Sequence, residues 1–211
     1  MAVLDIYQYG AEVLRNPSRE VNKKEIKSKE FKRFVRDMLE TMYIKNGVGL
    51  AAPQVGINKR VIVIDVDWPQ ADRNPMILIN PKIVYQEGEL LSEEGCLSFR
   101  GNTLNKEGVQ LKTVRRYAKV KVNYNDLDNQ RQSIEAVGDL LCRCLQHEID
   151  HLDGVLFIDK SEDLEQVKEE LIKSGFSTDE IDRIKVIETV QDAKKITQSA
   201  DSSSMSIPAL A

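Results

Sequence analysis

Histidine is nearly missing from this chain, which has two in 211 residues. Cysteine is scarce as well: there are three, an odd number, and Cys142 and Cys144 are only two positions apart. That is a poor disulfide framework, so free thiols and a reducing, cytoplasmic setting are expected. No apolar run approaches the ~18–20 residues of a membrane-spanning helix, which excludes a helical membrane protein. The opening MAVLDIYQYG lacks the basic-then-apolar pattern of a secretory signal and the Arg/Ser-rich, acid-poor character of a transit peptide. It is expected to begin the folded domain itself. A strong charge of one sign is missing too. The formal net charge of −4 argues against an extended phosphate-binding surface and against sequence-specific nucleic-acid recognition, although RNPSREVNKKEIKSK (15–29) is locally basic. No internal repeat stands out.

What remains is ordinary for a globular protein: 41% hydrophobic and 30% charged residues, and enough length for one sizeable core with an appendage. FKRFVRDMLETMYIKN carries Phe31, Phe34, Val35, Met38, Leu39 and Met42 at helical spacing, with Gly47 expected to stop the helix. RVIVIDVDW (60–68) and MILINPKIVY (76–85) are short and β-branched, and read as strands, the second ending near Pro81 or continuing past it. AKVKVNYNDLDNQRQSIEAVG alternates with a period of two around an Asn/Asp-rich turn, which predicts a hairpin. GDLLCRCLQHEIDHLDG restores the helical period, with Asp139 as its N-cap and Gly154 as its stop. After residue 160 the composition turns to Glu, Lys and Asp with spaced aliphatics, which predicts amphipathic outer helices over 165–198 and a disordered tail over 199–211. Residues 1–164 then form the catalytic domain.

Both histidines fall in the last of these helical stretches, as His147-Glu148-x-x-His151. Positions four apart project from one helix face about 6 Å apart along the axis, so two imidazoles can reach one ion. Glu148 is turned by ~100° from His147, near enough to act as a general base without ligating the metal. Two core histidines are the plainer alternative, but with so few in the chain this spacing around a glutamate is a specific signal.

A catalytic site of this kind needs a third protein ligand. The metzincin pattern would place a histidine three residues after Gly154, where the chain has Phe157. A downstream glutamate of the thermolysin type, among Glu162, Glu165, Glu169 and Glu170, stays open, and with it an endopeptidase. Cys144 shares the face of His147, but three ligands strung along ~10 Å of one helix cannot meet one ion, so it is expected to pack beside the site. Cys142 reads as a core thiol. Cys96, between glycines in SEEGCLSFRG, is the remaining candidate, with a small buried strand residue as its alternative.

Three separated stretches carry a resemblance. GVGLAAPQVG (47–56), EGCLSFRG (94–101) and QHEIDHLDG (146–154) occur in this order, and together they resemble the three signatures of the peptide deformylases over roughly residues 1–160. The resemblance implies an α+β fold with antiparallel sheets wrapped around a central helix bearing the histidines. It implies Cys96, His147 and His151 as ligands of one Fe(2+) per chain, replaceable by Zn, Ni or Co, with Glu148 as general base and acid. Gln54 and the Leu97 N–H would bind the oxyanion that forms on the formyl group of a formylmethionyl nascent peptide, and formate would be released. Val48, Gly49 and Cys144 would line the pocket for the methionine side chain. The ribosome becomes a candidate partner, and a non-catalytic ribosome-binding relative a competing reading. The stretch LSFRGNTLNKEGVQLKTVR after Cys96 is longer than in compact members, so Arg100 receives no role by resemblance. Phe99 stands where a smaller aliphatic is usual and is expected to reshape the cleft.

Overall fold

The structure, a computed structural model, describes residues 2–68, 70, 72–100 and 109–177. Its first helices are set by their caps. The Asn22 side chain accepts the N–H groups of Lys24 and Glu25 while the Glu25 carboxylate accepts that of Asn22, a reciprocal capping box that starts α1 (Lys23–Lys27). Ser28 then caps α2 (Lys29–Ile44) through the Phe31 N–H. The apolar residues predicted for α2 line one side: Phe31, Val35, Met38 and Met42 are all buried. They pack on Leu50, Val61 and Val63 of the adjoining sheet. The left-handed residue after α2 is Asn46, at φ 53°, and not Gly47 as the sequence led us to expect. Asparagine tolerates this conformation, and the Gly47 N–H then closes the helix by donating to Met42 O at 2.9 Å.

The described strands form two antiparallel sheets. The larger has the order β1 (Gly49–Ala51), β2 (Val61–Ile64), β3 (Met76–Glu87), β6 (Lys119–Asn125), β7 (Arg131–Val137); the smaller pairs β4 (Leu90–Gly95) with β5 (Gln110–Arg116). β2 is shorter than the run RVIVIDVDW because Asp65 diverts the chain: its Oδ2 accepts from the Tyr43 hydroxyl at 2.6 Å and from the Asn74 N–H at 3.0 Å. β3 continues past Pro81, which lacks an N–H, by means of a register shift between Ile79 and Lys82 against β6. The expected hairpin is β6–β7, turned by Asn129 at φ 61°.

Helix α3 (Leu140–Leu152) is capped as its sequence predicts, with the Cys142 N–H donating to Asp139 Oδ1 at 2.7 Å. It lies between the two sheets. Cys142, Leu145, Ile149 and Leu152, at helical spacing, are buried on β1, β2, β6 and β7. Its opposite, polar side meets β4 and β5 through His147 and Asp150. The fold is α+β, with antiparallel sheets around the histidine helix. Beyond it, α4 (Leu164–Lys173) buries Val167 and Leu171 among Leu111, Val114 and Phe157. The rest of the expected helical extension and the tail, residues 178–211, lie outside the described residues.

Gly154 ends α3 at φ 72°, and a Cβ there would stand 2.4 Å from the backbone oxygen of Arg15. Since neither backbone can yield cheaply, Gly154→Ala is expected to lower stability by about 2 kcal/mol or more, read as a lower urea midpoint at unchanged m-value.

Candidate metal centre and cleft

The last residue of β4 is Gly95, so Cys96 stands at the strand's end, facing the polar side of α3. The side chains of Cys96, His147 and His151 offer ligand atoms that all lie within 4.8 Å of one another, and Cys96 Sγ is 3.3 Å from His151 Nε2. In a tetrahedral site with metal–sulfur bonds of about 2.3 Å and metal–nitrogen bonds of about 2.0–2.1 Å, ligand atoms stand about 3.3–3.6 Å apart. The trio therefore fits a divalent cation. The carboxylates of a thermolysin-type alternative are elsewhere: Glu162 pairs with Arg115, Glu165 with Lys168, and Glu169 and Glu170 with Lys173, all at the surface. Phe157, in the slot of a third histidine, packs its ring 5.8 Å from that of His147.

Behind the ligands sits a buried ionic cluster that sequence reasoning did not find. His147 Nδ1 donates to Glu94 Oε2 at 2.8 Å, which leaves Nε2 as the ligand nitrogen. Glu94 accepts two hydrogen bonds from the Arg116 guanidinium, each 2.7 Å, and the third arm of Arg116 donates to Asp150, which also accepts from Lys160 Nζ at 2.8 Å. The Arg116 side chain has no exposed surface at all. Burial opposes charge on Glu94, but Arg116 and His147 outweigh it and hold the carboxyl well below its usual range. Burial also opposes charge on His147, where Cys96 and Glu94 prevail and raise its pKa well above 6.5; a cation at the three ligands would take the place of that proton. His151, buried and beside His147 and Arg116, is pushed well below 6.5 and is neutral. A period of two places Glu94 and Cys96 on one side of β4, the one sequence signal that could have singled out Glu94. Arg116, at the end of β5, gives no such signal.

The remaining predicted residues gather around the trio. Burial pushes the Glu148 carboxyl up to about 7, and its Oε2 has no hydrogen-bond partner among the described residues. Gln54, on the short turn Ala52–Val55, accepts the Ala51 N–H with Oε1 at 2.8 Å, which turns its Nε2 donor toward Cys96 Sγ, 3.4 Å away, and Ser98 Oγ, 3.2 Å away. Leu97 follows Cys96 at the start of the turn Leu97–Phe99. Val48, Gly49 and Cys144 form one wall of a cleft of about 280 Å³ that Cys96, His147 and Glu148 also line. A Cβ on Gly49 would stand 2.4 Å from Glu148 Oε1 and 2.7 Å from Cys144 Sγ, so only glycine permits this approach. Cys142 is a core thiol, 3.5 Å from Tyr117 O. One expectation fails. Phe99 does not reshape the cleft but points away from it, fully buried, stacked on Tyr9 at 4.9 Å and edge-on to Phe157 at 4.9 Å. Arg100 does line the cleft, and it donates to Lys45 O at 2.6 Å.

Comparison with known proteins follows the same lines. The sequence model of the polypeptide deformylase family matches residues 3–167. A peptide deformylase of Thermodesulfovibrio yellowstonii is 44% identical over 178 residues, 84% of this chain and 99% of that one. Peptide deformylase 1 of a Nostoc species is 43% identical over 175 residues, covering 82% and 87% of the two chains. The crystal structure of a peptide deformylase from Synechococcus elongatus in complex with actinonin superposes with a TM-score of 0.76 at 42% identity, over 85% of this chain and 92% of that one.

Removing Arg116 would take the shared guanidinium from two buried carboxylates, leaving Glu94 only His147 and Asp150 only Lys160; breaking a buried ion pair destabilises by about 3–5 kcal/mol. Arg116→Met is expected to fall in that range by urea unfolding, and to weaken metal retention through the loosened His147 in a dialysis series followed by metal analysis.

Proposed function

The chain belongs to the polypeptide deformylase family, and from that premise we propose the parts its residues play in the reaction. The activity itself is the family's: metal-dependent hydrolysis that removes the formyl group from an N-terminal methionine. We assign the metal to Cys96 Sγ, His147 Nε2 and His151 Nε2, one ion per chain. Fe(2+) is the resident ion in this reading, with Zn, Ni or Co able to replace it, since one thiolate and two imidazoles suit all four. When bound, the ion supplies Lewis acidity to water and to the formyl oxygen.

The chain's own groups do the rest. β1 has no second partner strand among the described residues, and Gly47 to Gly49 line the same cleft as β4, so in this reading an extended peptide lies between them with backbone groups toward both. The methionine side chain lies against Val48, Gly49 and Cys144. Glu148, whose pKa of about 7 lets it hold or release a proton at neutral pH, takes a proton from the attacking water. As the water oxygen bonds to the formyl carbon, the former carbonyl oxygen gains charge and accepts hydrogen bonds from Gln54 Nε2 and the Leu97 N–H. Glu148 then delivers its proton to the methionyl nitrogen, the C–N bond breaks, and formate and a free amine leave. The observation that carries this assignment is the convergence of Cys96, both histidines, the unpartnered Glu148 Oε2 and the Gln54 donor on one cleft.

The substrates in the cell are nascent formylmethionyl peptides, which makes the ribosome a partner. Three free cysteines favour a cytoplasmic location. No helix of the described residues is long and apolar enough to cross a membrane. Residues 1–164 are the catalytic domain in this reading, and α4 begins a helical extension seated on it.

The assignments are open to measurement. Protein prepared without oxygen is expected to release formate from formyl-Met-Ala-Ser. Glu148→Gln should keep the metal and lose about 10²–10⁴ in kcat. Gln54→Leu should lose about 10²–10³. Cys96→Ala should lose the metal by elemental analysis while Glu170→Ala retains it; the reverse pattern would favour an endopeptidase with a glutamate ligand and sink the present assignment.

A further inference from the structure

α2 buries one side in the core and presents another to solvent, and a stripe along the exposed side carries one sign, with the exposed Glu30 of the first turn lying beside it. Lys29, Lys32, Arg33 and Arg36 are all exposed and recur at i, i+3, i+4 and i+7. They occupy an arc of about 100° and a run of about 10 Å along the axis. Glu40, one turn farther on, ends the stripe. Lys23, Lys24 and Lys27 of α1 are exposed as well. Residues 19–36 hold eight Lys or Arg against three Glu, in a chain whose net charge is −4.

Apart from Arg19, which pairs with Glu25, this charge is little consumed internally. Arg33 comes within 3.9 Å of Asp37 while remaining 75% exposed, a pairing of little strength. Among the described residues, Lys23, Lys24, Lys27, Lys29, Lys32 and Arg36 have no carboxylate within ion-pair distance. Elsewhere the surface is arranged differently: Lys119 pairs with Glu135, Arg115 with Glu89 and Glu162, and Lys173 with Glu170. Like charges at i, i+4 weaken a helix, so the stripe is a local cost that an external anion would relieve.

The form of the stripe selects the anion. Binding in an anionic membrane surface calls for apolar side chains beside the cations, inserted at the interface. Here the apolar side chains of α2 alongside the stripe pack on the core, and the exposed Ile44 lies about two turns beyond Arg36. A row of cations without interleaved aromatics suits a phosphate backbone read without base contacts. Position matters too. The C-terminal end of α2 leads through Asn46 into Gly47–Gly49, the cleft wall. Arg36 is therefore about 15 Å of helix from the cleft, so a surface held at the stripe leaves the mouth open.

We propose that the exposed face of α1 and α2 is a docking surface for an RNA phosphate backbone, by which the enzyme rests on the ribosome while the peptide N-terminus enters the cleft; this builds on the assignment of nascent peptides as substrate. The test uses the full chain and the quadruple variant Lys29→Gln/Lys32→Gln/Arg33→Gln/Arg36→Gln. Binding to a labelled mixed-sequence RNA duplex is followed by anisotropy, and to purified ribosomes by co-sedimentation. Four phosphate contacts predict that wild-type affinity for RNA falls about 100-fold between about 50 and 200 mM salt. The variant should bind at least about 10-fold more weakly at the lower salt, lose most of that salt dependence, and release formate from formyl-Met-Ala-Ser at the wild-type rate. Arg36→Glu alone, read the same way, keeps the question decidable if the quadruple variant does not fold. Equal RNA binding by wild type and variant overturns the proposal. So does a charge-dependent loss seen on phosphatidylglycerol vesicles and not on RNA. Failure of the wild type to release formate would instead strike at the hydrolase reading, and leaves the RNA result to be judged separately.

Discussion

A guanidinium with no exposed surface, held between carboxylates from two different elements, fixes the geometry on which the rest depends. Arg116 comes from β5, Glu94 from β4 and Asp150 from α3, so one side chain ties the small sheet to the histidine helix. Charged groups do not enter a protein interior without partners of this quality, because desolvation alone costs several kcal/mol per ion. The cluster therefore specifies how α3 sits against β4 to within hydrogen-bonding tolerance. Only in that position does Glu94 meet His147 Nδ1, and only then does Nε2 turn toward Cys96.

Much of this architecture was legible because it rests on short-range rules. The caps at Ser28 and Asp139, the helical spacing of α2 and α3, and the alternation of β6 and β7 are local consequences of residue type. The histidine pair is local in the same sense, since i and i+4 on a helix share a face whatever surrounds them. Cys96 was only one candidate until the resemblance pointed to it, because nothing local brings residue 96 to residue 151. The partners of Arg116 were not legible at all: a buried ionic cluster depends on three chain segments meeting, and each of its members alone looks like an ordinary surface charge. Phe99 departs from its expected place for a related reason. Its neighbours in sequence face the cleft, but the turn Leu97–Phe99 rotates it into the aromatic core with Tyr9 and Phe157.

Glycine and glutamine positions show how closely the backbone itself enters the site. Gly49 allows a strand to approach Glu148 to a distance that a methyl group would forbid. Gln54 is oriented by a main-chain donor, the Ala51 N–H, so the direction of its own amide is decided by the backbone of the same turn. In both cases the functional group is aimed by the chain path, with little left to side-chain freedom.

The donor atoms at the centre also belong to segments far apart in sequence, Cys96 after β4 and His151 on α3, 55 positions away. An ion shared by them closes a long loop in the folded state and has no equivalent grip on the unfolded chain. Metal supply and conformational stability are then thermodynamically linked, and each raises the other. A cell short of the ion would hold not just a less active population of this protein but a more easily unfolded one, with a shorter lifetime before degradation.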